Sequence, residues 1–300
     1  MQWYEISIEV PYEYVEPVSY LFDRHGHGLS MELKGPGRVL LRTYLPSASR
    51  QNLAHIEVGI KLTSILQPLG ELKVEPLPQD EDWQNAWKSH FSLLKIGQHL
   101  VIKPSWIEYQ PEANDIVIEL DPGLAFGTGY HPTTYTCLEA LEHLVRPGMN
   151  VLDLGTGSGI LTIAAVKLGA AKVLALDIDS IAVQATRQNF QRAGIQHQVT
   201  LAQGTLPHAL ARAEAYDLVV ANISSRAIRE RAAHILPVLR PQGALIASGI
   251  IKDQYQETEA ALLAAGLTSI EVWPLEDWAT LVCQRSDASA SPLPEAGDAN

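Results

Sequence analysis

The chain opens on an alternation. Tyr4, Ile6, Ile8 and Val10 occupy every second position, which puts them on one face of a strand. The spacing then changes to that of a helix over 13–25, with Val15, Val18, Leu21 and Phe22 on one side. Pro17 falls in the first turn, where its missing N–H is harmless. Strands are predicted at 28–33 and 38–45, on either side of the turn signal Lys34-Gly35-Pro36-Gly37. A second helix lies within 50–67, through Leu53, Ile56, Ile60 and Leu66, and a strand from Leu72 to Leu77 ends before Pro78. The order β-α-β-β-α-β is that of a ferredoxin-like α+β sandwich and defines a first domain over 1–78.

From 149 onward the pattern is different. Short apolar runs alternate with amphipathic stretches. Strands are predicted at Val151-Leu152-Asp153-Leu154, Val173 to Ile178, Val199 to Ala202, Leu218 to Ala221 and Ala244 to Ser248. Helices are predicted to about Leu168 and over 180–193, 225–238 and 254–265. Such alternation implies a mostly parallel sheet covered on both faces, a Rossmann-like α/β domain over 121–285. Val272 and Leu281-Val282-Cys283 suggest a terminal hairpin at a sheet edge. Residues 79–120 form a connecting segment with a short helix through Trp83 and Trp87 and strand-like pieces at 99–103 and 115–120. The Ser-, Ala- and Pro-rich stretch 286–300 has the composition of a disordered tail.

Composition narrows the function classes. The formal net charge of −12 disfavours binding to phosphate backbones and would favour a basic partner, although on charge alone solubility is the plainer reading. No run of eighteen apolar residues occurs, so no membrane association is expected, and the N-terminus has no basic segment followed by an apolar run. Cys137 and Cys283 are far apart and form no CxxC pair, which points to a reducing compartment, the cytoplasm. The histidines show no metal-ligand spacing, and His25-Gly26-His27 is expected as loop. A single chain is the expected working unit.

The candidate chemistry sits where the first α/β strand ends. Asp153-x-Gly155-x-Gly157-x-Gly159 follows a buried strand and opens a helix, at the end of a parallel sheet where ligands bind. The lysine of a phosphate-binding P-loop is absent, since Gly159 is followed by Ile160, Leu161 and Thr162. A dinucleotide fingerprint needs GxGxxG, and Ile160 stands where its third glycine belongs. Asp177 ends the next strand, where a carboxylate can accept both ribose hydroxyls of an adenosine. Asp179 has the position of a helix cap. These features favour S-adenosyl-L-methionine as cofactor. A nicotinamide-dependent oxidoreductase and a non-enzymatic Rossmann-like module remain alternatives. Asn222 follows the buried run Leu218-Val219-Val220-Ala221 and faces the same crevice, with a side-chain oxygen able to orient an incoming amine. A second glycine-rich segment, Asp121 to Thr134, holds Phe126 among three glycines; Pro132 and two threonines then start a helix. His131 suits the start of that helix as well as it suits a site.

The chain resembles the ribosomal protein L11 methyltransferases, also called PrmA. The resemblance rests on Asp82-Trp83 to Trp87, Lys103-Pro104-Ser105-Trp106, Asp121 to Thr134, Val151 to Ala165, Ala175 to Asp179, Val220-Ala221-Asn222-Ile223 and Ser248-Gly249-Ile250. It implies a class I methyltransferase with cofactor contacts at Thr134, Gly155, Asp177 and Asn222. It also implies methylation of lysine side chains and the N-terminal amine of a basic ribosomal protein, recognised by the N-terminal domain. Another protein or a small-molecule amine is the alternative acceptor. No catalytic acid or base stands out. Tyr130 stands where the family usually has a small residue, and Gln203-Gly204-Thr205 lacks the acid that often holds adenine in related enzymes.

Overall fold

A computed structural model describes residues 3–11, 14–35, 38–65, 68–77, 93–121, 129 and 131–285. The expected helix through Trp83 and Trp87, the Pro36-Gly37 turn, Leu66, Phe126, Tyr130 and the tail after Arg285 lie outside the described residues.

The N-terminal part is built from β1 (Trp3–Pro11), α1 (Val15–His25), β2 (His27–Gly35), β3 (Arg38–Pro46), α2 (Arg50–Ser64) and β4 (Lys73–Pro76). The sheet order is β2-β3-β1-β4 and every pairing is antiparallel. This is the ferredoxin-like arrangement predicted by the β-α-β-β-α-β order. Ile6, Ile8 and Val10 of β1 meet Val18 and Phe22 of α1 and Ile56 and Ile60 of α2 in one buried cluster. Burying each such side chain contributes roughly 1.5–3 kcal/mol, so the two periods, two in the strand and 3.6 in the helices, specify this layer together. His25-Gly26-His27 is not a loop. His25 closes α1 and His27 opens β2, leaving Gly26 alone between them. Gly26 is needed there because a Cβ would stand 2.0 Å from Thr43 Oγ1.

Three strands follow, β5 (Leu94–Ile96), β6 (Leu100–Lys103) and β7 (Ile116–Glu119), with β6 central. Their inward residues Ile96, Leu100, Ile102 and Ile118 share one cluster with Leu138 and Leu141 of α3 (Pro132–Leu144). Glu142 of α3 ties the β5–β6 turn down by accepting from the backbone N–H groups of Gln98, His99 and Leu100 at 2.7, 2.7 and 3.2 Å.

The remainder alternates: β8 (Asn150–Leu154), α4 (Ile160–Lys167), β9 (Lys172–Asp177), α5 (Ser180–Ala193), β10 (Val199–Gln203), β11 (Tyr216–Asn222), α6 (Ser225–Ile235), β12 (Leu239–Ile251), α7 (Tyr255–Ala264), β13 (Leu267–Leu275) and β14 (Trp278–Arg285). The seven-stranded sheet has the order β10-β9-β8-β11-β12-β14-β13. Strands β8 to β12 run parallel, and β14 is antiparallel to both its neighbours. The C-terminal hairpin therefore inserts β14 next to β12 and leaves β13 at the edge. Alternate strand residues divide between two clusters: Val151 and Val220 join the one with α3, α4 and Phe190 of α5, while Leu152 and Val219 join the one with Ile228 of α6 and Leu262 of α7. The chain runs from β8 outward to β10, then returns to the other side of β8 with β11. That reversal opens a crevice at the carboxyl ends of β8 and β11, where open α/β sheets take ligands. Among the described residues no helix is long and apolar enough to cross a membrane.

Candidate functional site

The crevice is lined by the turns after β8, β9 and β11 and by the start of α3. After β8 the chain must reverse within a few residues, and glycine makes this possible: Gly155, Gly157 and Gly159 all have positive φ, at 79°, 54° and 86°. The Gly155 and Thr156 N–H groups both donate to Leu176 O, at 2.8 and 3.0 Å, which anchors the loop to β9. Thr186 of α5 donates to Gly157 O, and Asn189 Nδ2 donates to Ser158 O at 2.8 Å. Sequence reasoning missed both of these braces. The available signal was Thr186, a polar residue at the helical spacing of buried Val183 and Phe190.

Asp177 ends β9 and is 9% exposed. Its Oδ2 accepts from Gly157 N and its Oδ1 from Asp179 N, both at 2.9 Å. The carboxylate is thus fixed in direction before any ligand arrives, and each oxygen retains acceptor capacity. Asp179 caps α5 by accepting from Ile181 N at 2.9 Å. Next to Asp177, Ile178 is 72% exposed, a large apolar side chain in the open at a strand end. Gln203 Nε2 donates to Ile178 O at 3.1 Å and Gly204 N to Asp177 O at 2.7 Å, so the segment without an acid lies against this same corner.

Asn222 ends β11, across the reversal from Gly155. Its Nδ2 donates to Thr134 Oγ1 at 3.2 Å, while its buried Oδ1 has no hydrogen-bond partner among the described residues. Thr134 is fully buried in the first turn of α3. That helix starts as its sequence predicts, with His131 as N-cap accepting from Thr133 N through Nδ1 at 3.3 Å and Pro132 just inside. The His131 ring lies edge-on to Trp278 with centroids 4.9 Å apart, and burial lowers its pKa to about 4. A neutral imidazole holding a helix start is a structural part rather than a base near neutral pH.

The turn after Asn222 is closely packed. A Cβ on Gly155 would stand 2.2 Å from Ile223 Cγ2, and one on Gly249 would stand 2.2 Å from Ile223 O. Thr134, Gly155, Asp177 and Asn222 are thereby brought to one crevice through Gly157, Ile223 and the Asn222–Thr134 bond. Asp153 lies beneath them, fully buried, with Oδ2 accepting from Thr156 and Thr162 at 2.7 Å each and Oδ1 without a hydrogen-bond partner among the described residues. Burial raises its pKa to about 6, against the two threonine hydroxyls that lower it. Asp121, the root of the second glycine segment, accepts from Ser105 N and Oγ at 2.7 and 3.1 Å.

These groups fit a cationic adenosine cofactor better than a dinucleotide. At the crevice the buried atom without a hydrogen-bond partner among the described residues is an acceptor, Asn222 Oδ1, which suits an ammonium or sulfonium group. A pyrophosphate calls for donors instead.

A sequence model of the family described as "Ribosomal protein L11 methyltransferase (PrmA)" matches residues 2–286. The chain belongs to the ribosomal protein L11 methyltransferase family. The ribosomal protein L11 methyltransferase of Chloroflexus aurantiacus is 41% identical, over 94% of this chain and 98% of that protein. The corresponding protein of Herpetosiphon aurantiacus is 39% identical over 93% and 97%. A crystal structure of ribosomal protein L11 methylase from Lactobacillus delbrueckii subsp. bulgaricus is 34% identical. It superposes with a TM-score of 0.61, covering 66% of this chain and 100% of that one. The N-terminal sandwich lies within the family match.

Proposed function

We propose that this protein transfers methyl groups from S-adenosyl-L-methionine to amino groups of ribosomal protein L11, at lysine side chains and the N-terminal amine. The observation that carries the reading is the Asn222–Thr134 pair beside the glycine loop, with a buried amide oxygen left free. When bound, the cofactor supplies a methyl already activated on a sulfonium. The protein's task is alignment, which is catalysis by proximity and orientation.

Each residue has a distinct part in this proposal. Asp177, held by Gly157 N and Asp179 N, binds the ribose hydroxyls. The Gly155 turn lets the backbone approach the cofactor, and Ile178 gives the adenine an apolar surface in place of an acid after β10. Thr134 fixes the Asn222 amide so that Oδ1 accepts an N–H from the incoming amine and directs its lone pair. The amine must arrive neutral. A lysine with a pKa near 10.4 pays about 4.6 kcal/mol for this at pH 7, and an α-amine only about 1 to 1.4 kcal/mol. The N-terminal amine is therefore the easier acceptor, unless the site lowers the lysine pKa by desolvation.

Residues 1–78 recognise the substrate, 121–285 carry the cofactor, and 79–120 connect them. The net charge of −12 suits a basic ribosomal protein and disfavours direct nucleic-acid binding. The protein works as a monomer in the cytoplasm, in keeping with two buried free cysteines. Purified ribosomal protein L11 incubated with the enzyme and labelled cofactor should gain label on amino groups, located by mass spectrometry. Absence of label on L11 overturns the proposal. Asn222→Ala should slow single-turnover transfer at saturating cofactor more than it weakens cofactor binding. A normal rate at saturation would remove the amine-orienting role.

A further inference from the structure

The start of α3 has to be held in place for Thr134 to hold Asn222, and the family resemblance assigns nothing to that task. Behind Thr134 the structure contains a linked set of hydroxyls, with the buried Cys137 thiol beside Ser248. Thr136 Oγ1 lies 2.6 Å from Thr280 Oγ1, and Thr280 Oγ1 lies 2.6 Å from Ser248 Oγ. Thr136 Oγ1 also reaches Pro132 O at 3.1 Å and Thr133 O at 3.2 Å, and Ser248 Oγ reaches Thr133 O at 3.3 Å. Thr136, Ser248 and Thr280 are 5%, 0% and 1% exposed.

Each hydroxyl has one proton, which limits the arrangements. In one order Thr136 donates to Thr280, Thr280 to Ser248 and Ser248 to Thr133 O. In the other, Ser248 donates to Thr280, Thr280 to Thr136 and Thr136 to a carbonyl of its own helix. Both orders satisfy the two short contacts, and both end on a carbonyl in the first turn of α3. The set therefore fastens that turn to the sheet whichever way its protons run.

The strands present these groups for a topological reason. Because β14 is antiparallel to β12, its first residues lie at the carboxyl end of the parallel strands, beside the crevice. Trp278 and Thr280 share one face by the strand period of two. Trp278 meets the His131 N-cap and Thr280 meets Thr136 one turn further on. The β12–β14 register shifts between Ala247 and Ile250, with Gly249 at φ 80°, and Ser248 lies at this irregularity. Such bulges re-aim a side chain.

We propose that Thr280 and Ser248, through Thr136 and the Thr133 carbonyl, are positioning residues for methyl transfer: they hold the first turn of α3 so that Thr134 keeps the Asn222 amide oriented toward the acceptor amine. The inference rests on the amine-orienting role proposed for Asn222. Thr280→Val keeps the volume and removes the hydroxyl, leaving Thr136 and Ser248 with one partner fewer.

The test compares Thr280→Val, Thr280→Ser and Asn222→Ala in the full-length enzyme with ribosomal protein L11 and S-adenosyl-L-methionine. Thr280→Val should lower kcat about ten-fold with the KM for L11 within two-fold, and Thr280→Ser should restore kcat. In an Asn222→Ala background, Thr280→Val should change kcat less than two-fold, because contacts acting through one group are not additive. Should Thr280→Val fail to fold, Ser248→Ala serves the same comparison. A normal kcat in folded Thr280→Val beside a slow Asn222→Ala overturns the positioning role alone. A normal Asn222→Ala overturns the amine-orienting reading, and the positioning role with it. Additive losses, or a Thr280→Ser as slow as Thr280→Val, mean the site serves packing and also overturn it.

Discussion

The N-terminal sandwich and the C-terminal α/β unit bury different kinds of side chain. Among the described residues, the buried polar groups of the sandwich are Ser7, Ser19 and Thr43, all neutral hydroxyls. The α/β unit buries two carboxylates, Asp153 and Asp177, and a series of threonines near the ends of its strands. Both regions leave a buried polar atom unpartnered. Among the described residues it is Ser19 Oγ in the sandwich, while in the α/β unit Asn222 Oδ1 lies at the crevice and Asp153 Oδ1 is buried beneath it. An unsatisfied buried acceptor costs about 1–3 kcal/mol, more when charged. A free amide oxygen at the mouth of a sheet indicates a place completed by a ligand. A lone hydroxyl on a helix gives no such indication. One region is thus held by its own packing, and the other is finished by what it binds.

Separating the two regions should have the largest effect. Removing residues 1–78 should abolish methylation of ribosomal protein L11 while leaving cofactor affinity within about two-fold, read by calorimetry on the folded truncated chain. Retained protein methylation would show that the sandwich does not recognise the substrate. A smaller effect is expected from Asp177→Ala, which should weaken S-adenosyl-L-methionine binding by about ten- to a hundred-fold, since hydrogen bonds to a charged acceptor are worth roughly 1.5–3 kcal/mol each. An unchanged dissociation constant would leave Asp177 as a brace for Gly157 and nothing more.

The smallest effect concerns pH. Burial raises Asp153 from 3.8 to about 6, so its contribution to stability is fully present below 3.8 and is lost as pH rises through 6. Burial lowers His131 from 6.5 to about 4, so its contribution is fully present above 6.5 and is lost as pH falls through 4. On acidification from pH 7 to pH 5 the two therefore oppose each other. Asp153→Asn removes the gain and should steepen the loss of stability over that range by roughly 1 kcal/mol. Urea unfolding of the cofactor-free protein at several pH values measures this. Parallel wild-type and variant curves would mean that Asp153 is ionised throughout.

Much of both regions was legible in the sequence, for different reasons. The alternation of Ile6, Ile8 and Val10 and the helical spacing of Ile56 and Ile60 state directly which faces are buried. In the α/β unit the apolar runs located the strands, and Gly155, Asp177 and Asn222 stood out because each follows such a run. The braces were not legible. Thr186, Ser248 and Thr280 are ordinary residues in a linear reading, and Thr136 and Thr280 are 144 positions apart. Their role comes from pairing across elements, which no local period encodes. His25-Gly26-His27 was misread because glycine and polar residues suggest a loop, whereas a tight helix-to-strand junction needs the same glycine.

Ile223 gives the crevice a one-sided tolerance to change. It lies between two glycines from different strand ends, each in a backbone conformation that disfavours a side chain, with no room for a Cβ at either. Bulk can be taken away at position 223 but not added at 155 or 249. The turns after β8 and β11 and the bulge of β12 are therefore packed as a single block. A search for variants that accept a different amine has little freedom in that block and must look to the residues around it.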